Sequence, residues 1–194
     1  MKKTVLVALG SAAVTSTLFL GAHFYNQEQI QETVMEDQAP AVPPSGYPRY
    51  LTKAEKECLV QNVYHEARGE SIKGQIAVVY TTLNRSLSET RKYGATNNIC
   101  DIVKAPYAFS WYDGTVKAIT NPTAWNKAVA VVESVLVSYS LQNSPVKDAT
   151  HYVNKKKATV KAKWWKSKKM VQLAQLDNHE FYKQKNEKIA IRKA

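Results

Sequence analysis

An α+β fold, mainly helical with a small β-sheet or hairpin and preceded by an N-terminal membrane segment, is predicted by three observations. Residues Thr4 to Tyr25 contain no Lys, Arg, Asp or Glu. Three segments between Thr52 and Tyr139 repeat apolar residues at helical spacing. Two further segments, Ile99 to Trp111 and Thr150 to Tyr182, are aromatic-rich, lack that period and contain turn pairs such as Asp177-Asn178, so they read as short strands and loops. With 194 residues, 44% of them hydrophobic, the chain has room for one domain and a tail, which excludes a multi-domain assembly.

The charge-free run of 22 residues is long enough to cross a hydrocarbon core of about 30 Å. Lys2 and Lys3 precede it and Glu28, Glu32, Glu36 and Asp37 follow, which orients the N-terminus to the cytoplasm and the remainder outside. An exported, extracytoplasmic or periplasmic domain is expected, tethered to the cytoplasmic membrane through residues 4–25. Bulky Leu20 stands where a cleavage site ending at Ala22 needs a small side chain, so an uncleaved signal-anchor is preferred over an ordinary signal peptide. Of the 19 residues from Thr4 to Ala22, 11 are Gly, Ala, Ser or Thr, a weakly apolar span able to leave the bilayer again.

Residues 26–50 are polar and then Pro-rich (Pro40, Pro43, Pro44, Pro48) and read as a linker. Thr52-Lys53-Ala54-Glu55 has the form of a capping box. Cys58, Leu59, Asn62, Val63 and Glu66 follow on one helical face, predicting a helix from Thr52 to Arg68 that Gly69 ends. Ile72, Ile76, Val79/Tyr80 and Leu83 predict a second helix over Ser71–Arg85, and Asn121-Pro122 opens a third through Trp125, Val132 and Leu136 to Tyr139. The domain is placed at 51–182, and residues 183–194 read as a basic tail, frayed or briefly helical.

The net charge is +11, and the last 48 residues hold 14 basic against 4 acidic groups, so a polyanionic partner is expected there. Trp164-Trp165 among Lys161, Lys163, Lys166, Lys168 and Lys169 is a pattern that could stack bases, yet no nucleic-acid-binding module is present and the export segment argues against that partner.

The densest chemistry lies in Tyr64-His65-Glu66-Ala67-Arg68-Gly69-Glu70. Glu66 continues the inward row of Leu59 and Val63, and a carboxyl in a partly apolar cleft keeps its proton and serves as a general acid. On spacing alone the alternative, a helix-end carboxylate paired with Arg68 or Arg85, is the favoured reading. Gly69 replaces the second His of a His-Glu-X-X-His zinc motif, and His65, His151 and His179 are unrelated positions, so no metal is expected. Cys58 and Cys100 are too few for a disulfide framework and wrongly spaced for a Cys-X-X-Cys site. In an exported chain they favour one disulfide over a Cys58–His65 nucleophile pair. Gln75, Asn84, Phe109, Ser110 and Trp111 are amide, hydroxyl and aromatic groups of the kind that line sugar sites.

Cys58 to Ser71, Gly74 to Val78, Leu83-Asn84-Arg85, Ile99 to Val103, Phe109-Ser110-Trp111, Ala149 to Tyr152 and Asn178-His179-Glu180-Phe181 together resemble the cell-wall hydrolase family of the spore-cortex-lytic enzymes SleB and CwlJ. The resemblance implies a lysozyme-like domain that cuts peptidoglycan glycan strands as a lytic transglycosylase, without a cofactor and with Glu66 as acid/base. It makes Glu70 and Tyr152 further candidates for substrate binding. Hydrolysis by water would instead demand a second base, Glu70 or Asp113. The chain departs from the family in lacking a separate peptidoglycan-binding repeat, in Ala108 where Gln often precedes Phe-Ser-Trp, and in the hydrophilic stretch Ser86 to Asn98. The basic C-terminal region is expected to hold an anionic wall or membrane surface instead. The N-terminal segment resembles the signal-arrest-release segments of phage endolysins, so a monomeric endolysin is expected ahead of a wall-remodelling enzyme. A zinc amidase, a non-catalytic wall-binding module and a nucleic-acid binder are the rival readings.

Overall fold

The computed structural model describes residues 47–89, 97–158 and 163–190. The expected membrane segment, most of the linker, Lys161 and the last four residues lie outside the described residues. Among the described residues no helix is long and apolar enough to cross a membrane.

Four helices carry the domain: α1 (Lys53–Ala67), α2 (Ile72–Leu87), α3 (Ile99–Lys104) and α4 (Pro122–Ser138). Each begins on a side chain that takes up free N–H groups of the first turn. Thr52 and Glu55 form the expected capping box of α1. Ser71 accepts from Gly74 at the start of α2, and Asn121 accepts from Ala124 ahead of the first-turn proline of α4. The α1 face of Leu59, Val63 and Tyr64 packs on α2, α3 and α4, closing a core with Val78, Val79, Leu83, Ile99, Val103, Val132 and Phe181.

Helix α3 corrects the expectation of strands and loops over Ile99–Trp111. At six residues it is too short to display a period, and a helix of that length is not stable alone. Its stability comes from neighbours. The Asn98 side chain accepts from the Cys100 and Asp101 N–H groups, Glu55 Oε1 accepts from Ile99 N–H at 3.1 Å, and a disulfide joins Cys100 to Cys58 of α1. Glu55 is 3% exposed, and Arg49 and the Ile99 amide outweigh its burial, so its carboxyl stays below the ordinary carboxylate value.

Three antiparallel strands, β1 (His151–Val153), β2 (Met170–Leu176) and β3 (His179–Gln184), form a sheet in the order β1-β3-β2. Leu176 pairs with His179, so Asp177-Asn178 is the expected two-residue turn, with Asp177 at φ 49°. A bulge between Gln172 and Ala174 shifts the β2 register.

The turn is pinned to the helices. Asp177 Oδ2 accepts from the Ser71 N–H (3.0 Å) and hydroxyl (2.7 Å), and the Glu70 carboxylate accepts from the Asn178 N–H (3.3 Å) and side-chain amide (3.2 Å). Gly74 permits this approach, since a Cβ there would sit 2.2 Å from Asp177 Oδ2.

Both edges of the domain lie further out than the sequence suggests. Tyr47 is fully buried, bonded to Ser86 and packed edge-on against Tyr139, so folded chain begins before Leu51. At the other end, the stretch expected as a free tail is docked as far as Ala190. Lys183 and Gln184 complete β3, buried Glu187 accepts from Ser88 and Thr150, and Ala190 N–H donates to the Leu87 carbonyl. A lone buried carboxylate needs such partners, and the run of lysines around Glu187 hides it in the sequence.

Candidate active site

The C-terminal end of α1, the segment after α3 and the strands β1 and β3 converge on a cleft of about 370 Å³. Glu66 lies on its floor, one turn beyond Val63, with Phe109, Ser110, Arg85 and Tyr152 around it and His65, Asn154, Lys157, Trp164 and His179 completing the walls. Phe109 and Tyr152 rings stand 6.1 Å apart, and Tyr152 packs on Phe181, its cross-strand partner.

Burial is the dominant influence on Glu66 and raises its carboxyl above the ordinary 4.5. The Tyr152 hydroxyl, the Arg85 guanidinium and Ser110 oppose that rise without cancelling it. The Ser110 hydroxyl donates a long, weak hydrogen bond to Glu66 Oε1 at 3.4 Å. The Tyr152 hydroxyl is buried and reaches no hydrogen-bond partner at standard geometry among the described residues, while Glu66 raises its own ionisation well above the usual phenol value, after burial itself. Thus the floor holds a carboxyl that keeps its proton to higher pH than an ordinary one, beside two hydroxyls.

Arg85 is not the salt-bridge partner that the helix-end alternative requires. It is 7% exposed, donates to the carbonyls of Thr150 (Nε, 2.5 Å) and Ala108 (Nη1, 3.3 Å), and lies over the Phe109 ring at 4.3 Å. It ties β1 to the segment carrying Phe109 and Ser110 and acts on Glu66 through the field only. In the sequence Arg85 stands as a rival partner for Glu66 and as the end of the Leu83-Asn84-Arg85 block. Its position on α2 one turn past Thr81 gives no sign that two loop carbonyls come to it.

The expected site residues divide. Glu66, Phe109, Ser110 and Tyr152 meet in the cleft. Glu70 lines it as well, but its oxygens are taken by Asn178, with His179 Nδ1 at 3.9 Å. Trp111 stands behind the wall, its indole N–H donating to Asn62 at 2.9 Å and its ring stacked on His65 at 4.5 Å.

Gln75 and Asn84 are corrections: both are buried in the protein and contribute nothing to the cleft lining. Gln75 donates to the Glu70 carbonyl, and Asn84 donates to the Lys147 and Ala149 carbonyls while accepting from the Tyr139 hydroxyl. Amides on an apolar helix face serve loop carbonyls here rather than sugar hydroxyls.

Among the described residues no cluster of three His, Cys, Asp or Glu is arranged to hold a metal ion, and the His151 ring lies tilted against Trp164, their centroids 5.3 Å apart. Cys58 is in the disulfide and so is unavailable as a nucleophile. Asp113 sits on an exposed loop, where the Lys117 ammonium at 2.5 Å, followed by Thr115, holds it down to about 2.

A protonatable carboxyl on the floor of an aromatic, polar-rimmed cleft is the equipment of general acid/base chemistry. Two solved structures share the fold. The catalytic domain of the germination-specific lytic transglycosylase SleB of Bacillus anthracis is 26% identical with a TM-score of 0.51, over 70% of this chain and 99% of that one. The catalytic domain of the Bacillus cereus SleB protein is 25% identical with a TM-score of 0.50, over 76% and 99%. No match is found among the curated proteins. Residues 69–182, more than half of the chain, match the family described as cell wall hydrolase. The chain belongs to the cell wall hydrolase family.

Proposed function

We propose that this enzyme cuts the glycan strand of peptidoglycan between N-acetylmuramic acid and N-acetylglucosamine as a lytic transglycosylase, with Glu66 as its acid and then its base. The observation that carries the reading is that Glu66 is the one cleft carboxyl, among the described residues, not bonded into the β2–β3 turn. Of the described cleft residues only Glu66 and Glu70 are acidic, and Glu70 is committed to the β2–β3 turn. The structural likeness to a protein named as a lytic transglycosylase supports it.

Protonated Glu66 donates to the bridging oxygen as positive charge develops at the muramyl C1, and the C1–O bond breaks. The resulting carboxylate takes the proton of the muramyl C6 hydroxyl, whose oxygen bonds to C1 and closes a 1,6-anhydro ring. The proton balance is zero and no water enters, so one carboxyl suffices. Hydrolysis would call on a second base, and neither Glu70, held by Asn178, nor Asp113, held by Lys117 outside the cleft, is placed to serve.

The test is the reducing-end yield. Digestion should clear purified peptidoglycan without new reducing sugars, and Glu70→Gln and Asp113→Asn should keep the same product. New reducing ends that vanish in either variant would show a hydrolase with that residue as base.

A pH signature follows from Tyr152. The acid step needs protonated Glu66, so kcat/KM falls as pH rises through the Glu66 pKa. The Tyr152 hydroxyl lowers that pKa, so Tyr152→Phe should move the alkaline limb to higher pH. A limb that stays in place or moves down would remove Tyr152 from the acid's environment.

The export-and-release reading is part of the proposal. The charge-free segment Thr4–Tyr25 and the basic C-terminal region support an endolysin held at the membrane before it acts. Expressed in a bacterial host, the full chain should lyse cells and a chain lacking residues 1–25 should not. Equal lysis by both would refute delivery by this segment.

A further inference from the structure

Tyr107 stands in a conformation that its own chemistry disfavours. Its φ is 62°, the left-handed region in which a bulky L side chain crowds its own backbone and which glycine enters freely. The turn Ala105–Ala108, with Pro106 second and Tyr107 third, sets this φ at a place where glycine or asparagine is the usual residue, and no packing of the side chain accounts for a tyrosine there. The side chain is 101% exposed, the most exposed large hydrophobic of the described residues, and makes no hydrogen bond or ring contact. A single exposed aromatic is ordinary on a protein surface, but one at a turn position that favours glycine or asparagine is not.

The position is also held rigid. Pro106 precedes Tyr107, the Ala108 N–H donates to the Ala105 carbonyl at 3.0 Å, and the Ala108 carbonyl accepts from buried Arg85. Upstream, α3 is fixed to α1 by the disulfide. The next three residues, Ala108, Phe109 and Ser110, line the cleft, and consecutive Cα atoms are about 3.8 Å apart, so Tyr107 stands at the cleft's edge.

We propose that Tyr107 forms a distal saccharide subsite, an aromatic platform on which an N-acetylhexosamine ring of the glycan strand stacks just outside the cleft. The inference rests on the reading of the cleft as glycan-cutting. A pyranose has a flat apolar face of C–H groups, and a fully exposed ring on a fixed backbone receives it without prior ordering of a loop. Because Tyr107 is not among the residues lining the cleft, the subsite adds to the binding of strands that run past its edge.

The experiment compares wild type, Tyr107→Gly and Tyr107→Phe, each as the full chain, on long peptidoglycan glycan strands and on short oligosaccharides cut from them. Tyr107→Gly removes the ring and relieves the backbone. It should raise KM on long strands roughly 3- to 10-fold, as loss of one stacking contact does, with kcat and the short-substrate KM unchanged and a melting temperature no lower than wild type. Tyr107→Phe, which keeps the ring, should match wild type. An unchanged KM on long strands overturns the subsite, as does a KM rise accompanied by a lower melting temperature, which would mark Tyr107 as structural. A wild type that leaves glycan strands uncut overturns the glycan-cutting reading and the subsite with it, whereas normal cutting with an unaltered Tyr107→Gly variant overturns the subsite alone.

Discussion

Replacing Glu66 by Gln should reduce turnover on peptidoglycan by at least about 10²- to 10⁴-fold, the range associated with loss of a positioned general acid, while the protein becomes more stable at neutral pH. Both effects have one cause. The folded protein raises the Glu66 carboxyl above its ordinary 4.5, chiefly by burial, so the native state holds this proton more tightly than the unfolded chain does. That contribution is complete below the unfolded pKa and is lost as pH rises through the folded pKa. Above it, the enzyme keeps an ionised carboxylate in a site that resists charge. Glutamine is neutral at every pH, so the melting-temperature advantage of Glu66→Gln should be small near pH 4 and grow towards pH 8. Thermal unfolding across that range checks it. An inactive variant destabilised equally at all pH values would point to a structural role for Glu66.

The disulfide is the second feature of large consequence. Cys58 on α1 and Cys100 on α3 lie 42 residues apart, and closing a loop of that length stabilises by about 4 kcal/mol in the chain-entropy description. The loop contains α2 and the hydrophilic stretch from Ser86 to Asn98, and α3 is too short to persist by itself. Reduction should therefore lower the urea midpoint sharply. Activity should also fall well below the global transition, because α3 leads directly into the Phe109–Ser110 rim. An unchanged midpoint under reductant would show that the Asn98 cap, the Glu55–Ile99 contact and core packing suffice to hold α3.

What the sequence disclosed follows the range over which each signal acts. The long helices were legible because their caps and apolar rows are local: Thr52 with Glu55, Ser71, and Asn121-Pro122 stand where the helices begin. The Asp177-Asn178 turn was legible for the same reason. Helix α3 was not, since six residues carry no period and its supports, Glu55 and Cys58, come from elsewhere in the chain. The docked segment to Ala190 depends on one buried acid, Glu187, meeting Ser88 and Thr150 across the fold.

The site shows the same limit. Glu66 is a candidate from the apolar row it continues, but its assignment as acid/base comes from the family resemblance. Phe109 and Ser110 came from their residue types, and Tyr152 came from the family resemblance. Gln75 and Asn84 have equally suitable chemistry for a sugar site but serve as internal pins, a difference set by which loop carbonyls arrive at α2. Arg85 gained its role in the same way. Glu70, a candidate second base if water attacks, is bonded to Asn178 in the β2–β3 turn, a contact no local pattern announces.

Mass spectrometry of the sugars released from purified peptidoglycan by the full chain and by Glu66→Gln bears most directly on the single-carboxyl mechanism. Wild type should yield muropeptides ending in 1,6-anhydro-N-acetylmuramic acid, absent from the Glu66→Gln digest. Muropeptides with free reducing ends, or intact glycan strands with released peptides, would contradict it.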